Sequence, residues 1–193
     1  RVMTMGSRFA QVIRNRLLAF LLKRRRFQQR FRMFISELGI AYPGSPITGK
    51  DHRADRIHDG VRPGQRVPDL PLRGEHGEGT LHDLLTDPRI TVLLHTEEFQ
   101  GLQHVASVEA AIPSSWKKSV QVLQIMSDAP HPTGSFHHAE PGLVRQRLGL
   151  EAGSFALIRP DGYLALLGDA SNAGCITGWL DSIGTRNDSN QLN

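Results

Sequence analysis

The chain has 193 residues, of which 39% are hydrophobic and 22% charged, a balance that permits a packed core and excludes global disorder. Its single cysteine, Cys175, excludes an intramolecular disulfide and favours a reducing, cytoplasmic compartment. The net charge of +4 divides unevenly, because residues 1–38 hold ten Lys/Arg against one acid, hence +9, whereas residues 39–193 hold thirteen against eighteen, hence −5. The two parts are therefore different kinds of segment.

Residues 1–38 are predicted to form a basic helical segment, with apolar side chains at helical spacing and Gly39 placed as a C-terminal cap. The apolar run at residues 17–22 is too short for a signal peptide or for the ~20 residues that span a bilayer. A basic amphipathic helix can lie on an anionic membrane surface, bind nucleic acid, or cover another domain with its apolar face. We favour the last, keep a membrane surface as the alternative, and do not expect nucleic acid.

Prolines and glycines punctuate residues 39–68, which is typical of a linker or an extended covering loop rather than a regular element. We place the linker at residues 39–64. Histidines and aspartates recur within it, but they lack the spacing of a helical metal site and indicate a solvated loop. These residues are Asp51, His52, Asp55, His58 and Asp59.

Strand and helix patterns alternate over residues 65–185. Short apolar runs predict strands, the first of them a short edge strand, at residues 70–72, 90–95, 120–126, 155–158 and 163–167. Capping and periodicity signals predict helices at residues 81–85, 98–111, 141–148 and 172–183. The order β-α-β-α-β-α-β-β-α predicts an α/β fold, a thioredoxin-like mixed sheet flanked by helices. The polar residues 186–193 are predicted to be a disordered tail.

Four segments resemble one enzyme family, and their order and spacing agree with it. Residues 36–47 (SELGIAYPGSPI) resemble the junction after the flavin domain of FAD-dependent aromatic-ring hydroxylases of the phenol and polyketide hydroxylase group. Residues 60–70 (GVRPGQRVPDL) are similar to the entry into that family's C-terminal domain, and residues 79–85 (GTLHDLL) to its next turn and helix. Residues 158–165 (IRPDGYLA) look like its closing hairpin.

The resemblance implies a larger enzyme that uses FAD and NAD(P)H to activate O2 and hydroxylate a phenolic or polyketide ring. Residues 1–38 would be the tail end of its flavin domain, and residues 65–185 its thioredoxin-like accessory domain. The family builds its flavin site from a G-x-G-x-x-G turn and a later Gly-Asp-Ala motif. The chain lacks such a turn, and its own Gly-Asp-Ala at residues 168–170 follows the last strand without the downstream His and glycines, so it is interpreted as a chance match.

Thioredoxin chemistry requires a thiolate at a helix start, where the helix dipole lowers its pKa. That position follows the predicted strand at residues 90–95, and there the sequence reads TEEFQG over residues 96–101. Neither disulfide exchange nor a cysteine peroxidase is therefore expected. Cys175 falls in the first turn of the last predicted helix, where we expect it to pack as a small apolar residue.

The remaining polar candidates do not predict a site. Histidines with two acids occupy a loop at residues 127–140, but adjacent loop histidines rarely point to one metal; they are His131, His137 and His138 with Asp128 and Glu140. Ser114 and Ser115 precede Trp116 without the Gly-x-Ser-x-Gly elbow, and no Ser/His/Asp arrangement is expected. We therefore assign no catalytic, cofactor-binding or metal residue to this chain.

The sequence thus predicts the C-terminal portion of an FAD-dependent monooxygenase, inactive alone. Its thioredoxin-like domain would pack on the flavin domain of the same polypeptide or join a homo-oligomer. The alternative is a free-standing, non-redox binding module that residues 1–38 tether to a membrane surface or partner. The aromatic substrate is not predicted, because the ring-binding residues would lie upstream.

Overall fold

A computed structural model describes residues 41–53, 60–74, 77–97, 101–127 and 137–190, and for residues 185–190 the backbone alone. The basic helix predicted for residues 1–38 lies outside this part. The strands are β1 (Pro71–Gly74), β2 (Gly77–Thr80), β3 (Ile90–Thr96), β4 (Val120–Met126), β5 (His137–His138), β6 (Ser154–Ile158) and β7 (Leu164–Asp169). The helices are α1 (Leu81–Leu84), α2 (Gly101–Ala110), α3 (Leu143–Leu148) and α4 (Gly174–Asn190), with a 3-10 turn at Ala170–Asn172.

The strands of the described residues form one mixed sheet in the order β2-β1-β5-β4-β3-β6-β7. The central strands β3, β4 and β5 run parallel, while β6, β7 and the β1–β2 hairpin add to the two sides in antiparallel pairing. Long apolar runs form β3, β6 and β7 because both faces of these strands are covered. The predicted thioredoxin-like mixed sheet flanked by helices is confirmed.

Two apolar clusters lie on opposite faces of the sheet, because successive strand side chains alternate between faces. Val92 and Leu94 of β3 belong to the cluster that includes residues of α2 and α4. Leu93 of β3 belongs to the cluster that includes Leu81 of α1 and Leu148 of α3. The helices thus divide two and two over the sheet.

The structure corrects three predicted elements. Residues 70–72 were expected to form a short edge strand, but β1 pairs on both sides and the edge strand is β2. His137 and His138, expected in a loop, form β5 through pairing with β4 and β1. Helix α4 continues to Asn190, beyond the expected end at Ile183, and so takes in residues 186–190 of the segment expected to be disordered.

Residues 41–53 and 60–66 lie along β7, and together they form the covering loop of the domain. The backbone N–H groups of Gly49 and His52 donate to the carbonyls of Ala165 and Leu167, each at 2.8 Å. Further along the strand, the N–H of Leu164 donates to Gln65 O at 2.8 Å. These bonds occupy the outer edge of β7, which would otherwise present unpaired backbone groups to other chains.

The side chain of Arg53 connects the covering loop to the end of α3. Its side chain is buried, with 3% of its surface exposed, and it pairs with Asp51 through Nη2–Oδ2 at 2.6 Å and Nε–Oδ1 at 2.9 Å. Its Nη1 donates to the carbonyl of Gly149, which ends α3, at 2.5 Å. A buried guanidinium is stable only with such partners, so the covering loop belongs to the same packed unit as α3. Among the described residues, no helix is both long and apolar enough to cross a bilayer.

Candidate functional site

From the sequence, the thiols of thioredoxin chemistry were expected directly after residues 90–95, which lie in β3. β3 ends at Thr96, and the described chain resumes at Gly101, where α2 begins. The hydroxyl of Thr96 accepts from Gln124 Nε2 at 2.6 Å, and a Cβ on Gly101 would lie 2.6 Å from the same nitrogen. Gly101 therefore lets the start of α2 approach the amide of Gln124. With no cysteine at residues 96–101, this place holds no thiol.

A serine and a histidine meet beside this position. His95, next to the end of β3, has its Nδ1 3.0 Å from Leu150 O and its Nε2 2.5 Å from the hydroxyl of Ser127, the residue that follows β4. A carbonyl oxygen only accepts, so Nδ1 carries the proton and donates it to Leu150. Nε2 of the neutral ring is then the acceptor of the Ser127 hydroxyl proton.

Burial keeps the His95 ring neutral. The residue is buried, with 6% of its surface exposed, and this desolvation lowers the pKa of its imidazole below the usual 6.5. Hydrogen bonds to the backbone of Leu150 and Glu151, together with the carboxylates of Glu97 and Glu151, act in the opposite direction but do not cancel the shift. Ser127 is partly exposed, so its hydroxyl lies between this buried base and the surface.

This pair of residues was not predicted from the sequence. His95 and Ser127 stand 32 positions apart, and neither lies in a recognisable motif. The parallel register of β3 and β4 sets Thr96 beside Met126, which brings the residues flanking that pair together. A usable signal was present, since both residues fall at the carboxyl ends of predicted neighbouring strands, where α/β sheets place their ligands.

Cys175 packs where the sequence predicted. It lies in the first turn of α4, half-buried against the cluster on the α2–α4 face, and its Sγ donates to Asn172 O at 3.3 Å. Burial raises the pKa of the thiol, and the nearby Asp169 carboxylate adds to the shift. A protonated thiol is a poor nucleophile, so Cys175 is a packing residue.

The Gly-Asp-Ala sequence at residues 168–170 is also accounted for by packing. A Cβ on Gly168 would lie 2.8 Å from Phe155 Cζ, so the glycine leaves room for a core aromatic ring. Asp169 Oδ1 accepts from the Ser154 hydroxyl at 2.7 Å across the β6–β7 pair. The segment therefore ends β7 and leads into the 3-10 turn, of which Asp169 is the N-cap residue.

The histidine and acid candidates do not come together in the described part of the chain, where no group of three possible metal ligands occurs. Asp51 pairs with the buried Arg53, and Glu140 is exposed. Burial and the neighbouring His138 lower the pKa of His137. Ser114 and Ser115 are exposed in the turn before Trp116. The candidates outside the described residues are Asp55, His58, Asp59, Asp128 and His131.

An apolar cavity of about 360 Å³ opens at the other end of β3, where the strand begins at Ile90. The residues that line it are Ile47, Ile90, Arg159, Pro160, Asp161, Trp179 and Ile183. Trp179 Nε1 donates to Ile47 O at 3.2 Å, which holds the covering loop against α4 at the cavity wall. Ile47 keeps 37% of its surface exposed, and Tyr42 nearby in the loop keeps 49%, so this end of the sheet presents an apolar surface to its surroundings.

Comparison with known proteins gives consistent matches. The profile of a family described as "Aromatic-ring hydroxylase, C-terminal" matches residues 61–183. A 6-methylpretetramide 4-monooxygenase of Streptomyces rimosus is 29% identical over 163 residues, which is 83% of this chain and 27% of that protein. The chain thus spans about a quarter of the length of that relative.

Solved structures share the fold. Aklavinone-11 hydroxylase, in a ternary complex with FAD and aklavinone, superposes with a TM-score of 0.56 at 23% identity, over 76% of this chain and 26% of that one. The flavin-dependent monooxygenase PieE, in complex with FAD and substrate, gives 0.55 at 21% identity, over 85% and 31%. OxyS, an anhydrotetracycline hydroxylase from Streptomyces rimosus, gives 0.51 at 24% identity, over 86% and 27%.

Proposed function

Since the chain belongs to the family of aromatic-ring hydroxylase C-terminal domains, we propose that it is the C-terminal region of a longer FAD-dependent monooxygenase and supplies no group to the hydroxylation itself. The match to the family over residues 61–183 carries this proposal. The small share of the relatives that the chain covers supports it as well, because their remaining three quarters leave room for a flavin domain.

The relatives suggest a substrate class for the whole enzyme. Their names state reactions on 6-methylpretetramide, aklavinone and anhydrotetracycline. We propose a ring compound of this kind as the substrate, with FAD and NAD(P)H as cofactors bound upstream of this chain. Within it, residues 65–185 act as a packing domain, and the lack of a cysteine at residues 96–101 gives no support to a thiol-based role.

An in-frame reading of the DNA upstream of the Arg1 codon tests the proposal directly. An open frame of several hundred codons with a G-x-G-x-x-G turn and a Gly-Asp-Ala motif followed by its glycines would support it. A stop codon and ribosome site just upstream would refute it, and the free-standing module tethered by residues 1–38 would become the leading account. Vesicle binding that weakens with salt and is lost on deletion of residues 1–38 would then identify that module.

FAD titration of the purified chain tests the assignment of the cofactor to upstream residues. We expect no saturable quenching of flavin fluorescence, because neither Gly101 nor Gly168 provides an open phosphate cradle: each approaches a side chain, Gln124 or Phe155. Saturable micromolar binding would contradict this part of the proposal. The chain's own melting temperature, measured with and without FAD, reports the same equilibrium independently.

The apolar cavity and the exposed residues beside it form the surface that we propose packs against the flavin domain. In the longer enzyme, Ile47→Asp places a charge at the cavity wall and should loosen the contact with the flavin domain, seen as faster proteolysis between the domains. Leu102→Asp is the matched control, because Leu102 is 81% exposed on α2 and lies outside the cavity. Equal proteolysis of both variants and the parent would argue against this surface.

A further inference from the structure

We propose that Ser127 is a nucleophile activated by His95 and that the pair reacts with small activated esters. The geometry at the carboxyl ends of β3 and β4 carries this proposal. A hydroxyl lies 2.5 Å from a ring nitrogen whose tautomer is fixed by a carbonyl 3.0 Å from the other nitrogen. This inference does not rest on the monooxygenase assignment.

The arrangement is that of a nucleophile, a base and an orienting group. Leu150 O orients the His95 ring, as the carboxylate does in the serine–histidine–aspartate triad. It accepts a hydrogen bond from Nδ1–H, which leaves the lone pair of Nε2 directed at Ser127. Burial keeps the ring unprotonated and able to accept. The carboxylates of Glu97 and Glu151 act on the ring in the direction that favours its charged form, and they would stabilise the imidazolium when it forms.

The proposed reaction is acyl transfer. Ser127 Oγ attacks the ester carbonyl carbon, and its proton passes to His95 Nε2. The new Oγ–C bond forms as the bond from carbon to the leaving oxygen breaks, and the departing alkoxide takes the proton from Nε2. Water then cleaves the acyl-serine by the same proton route, which returns the hydroxyl and releases the acid.

The burial of the two residues agrees with their proposed roles as base and nucleophile. His95 is buried, and its ring is held between the backbone at Leu150 and the side chain of Ser127. Ser127 is partly exposed, as the reaction requires of the residue that meets the ester. Ser154, by contrast, is 4% exposed and donates its hydroxyl to a carboxylate, Asp169, so it is neither accessible nor beside an imidazole.

Covalent labelling of the full chain with an alkyl fluorophosphonate tests the proposal. The Ser127 oxygen displaces fluoride from phosphorus, so intact-mass analysis should find one adduct, and peptide mapping should locate it on Ser127. Ser127→Ala should abolish the adduct. His95→Gln should slow labelling by at least ~100-fold, the usual effect of removing a general base. Ser182→Ala is the matched control, because the Ser182 hydroxyl donates to a carbonyl, Trp179 O, and its loss should leave the rate unchanged.

Far-UV circular dichroism and melting temperatures show whether the variants fold. If His95→Gln does not, the labelling rate of the parent chain against pH gives the same information: it should fall on acidification, because a protonated ring cannot accept the serine proton. The absence of any adduct, an adduct that survives in Ser127→Ala, or a rate that is independent of both His95 and pH would overturn the proposal and leave the hydrogen bond as a structural contact alone.

Discussion

Replacement of Arg53 by Met tests whether the covering loop is part of the folded domain. Methionine keeps the apolar stem of the side chain but removes the guanidinium. Asp51 then loses a two-pronged ion pair, at 2.6 and 2.9 Å, and Gly149 O loses its 2.5 Å donor. We expect a loss of unfolding free energy because the Asp51 carboxylate loses its ion pair and Gly149 O loses its donor in a poorly solvated place.

The size of the effect follows from the burial of the two side chains. Removal of one member of a fully buried ion pair costs about 3–5 kcal/mol. The Arg53 side chain is 3% exposed but that of Asp51 is 23% exposed, so water relieves part of the cost and we expect about 2–4 kcal/mol. For a chain of this length each kcal/mol corresponds to roughly 2–4 °C in melting temperature, so the midpoint should fall by about 4–16 °C.

Urea unfolding followed by circular dichroism measures this change, and Arg73→Met is its control. Arg73 pairs with Glu78 at 3.1 Å, but the two side chains are 73% and 78% exposed. An exposed pair contributes about 0–1 kcal/mol, so the control should stay close to the parent. If Arg53→Met is no more destabilised than Arg73→Met, the contacts of Arg53 do not stabilise the covering loop on α3.

Three further predictions concern the domain boundary, pH and the thiol. A chain that begins at residue 41 should fold and remain monodisperse, whereas one that begins at residue 65 exposes the edge of β7 and should aggregate in size-exclusion chromatography. Because the folded-state pKa of His95 is depressed, the unfolded state binds more protons than the folded state below the usual value of 6.5, so the free energy of unfolding should fall as pH drops from 7 toward 5. His95→Gln should flatten this pH dependence in urea titrations. An unchanged dependence would mean that another group causes it. Burial raises the pKa of Cys175, so its thiol should react with Ellman's reagent much more slowly at pH 8 than in denaturant, and equal rates would contradict the packing.

Much of the fold followed from local patterns in the sequence. The apolar runs that form β3, β6 and β7 predict strands by themselves, because strands buried on both faces are hydrophobic over most of their length. Strand β4 was also predicted, although Gln121 and Gln124 interrupt its apolar residues and its middle is only partly buried. Strand β2 carries two glycines and a charged residue, and β5 has only two residues, so neither shows a strand period. They are strands because β1 and β4 offer them hydrogen-bonding partners.

The family was likewise readable from the sequence, because the turn and junction segments that characterise it depend on proline and glycine at fixed places. The resemblance drawn from four such segments agrees with the family that matches residues 61–183. The same reading placed Cys175 on the packed side of α4, since the periodicity of a helix determines which residues face the sheet.

The α/β order, the family and the lack of a cysteine directly after β3 can be read from the amino-acid sequence, since each depends on residue types at short spacing. Three features appear only once the domain is folded: the covering loop occupies the edge of β7, Arg53 binds a carbonyl 96 positions away, and His95 meets Ser127 across 32 positions. The reason is physical: hydrogen bonds between distant residues depend on strand register and loop path, which are set by the packing of the whole domain rather than by any local pattern.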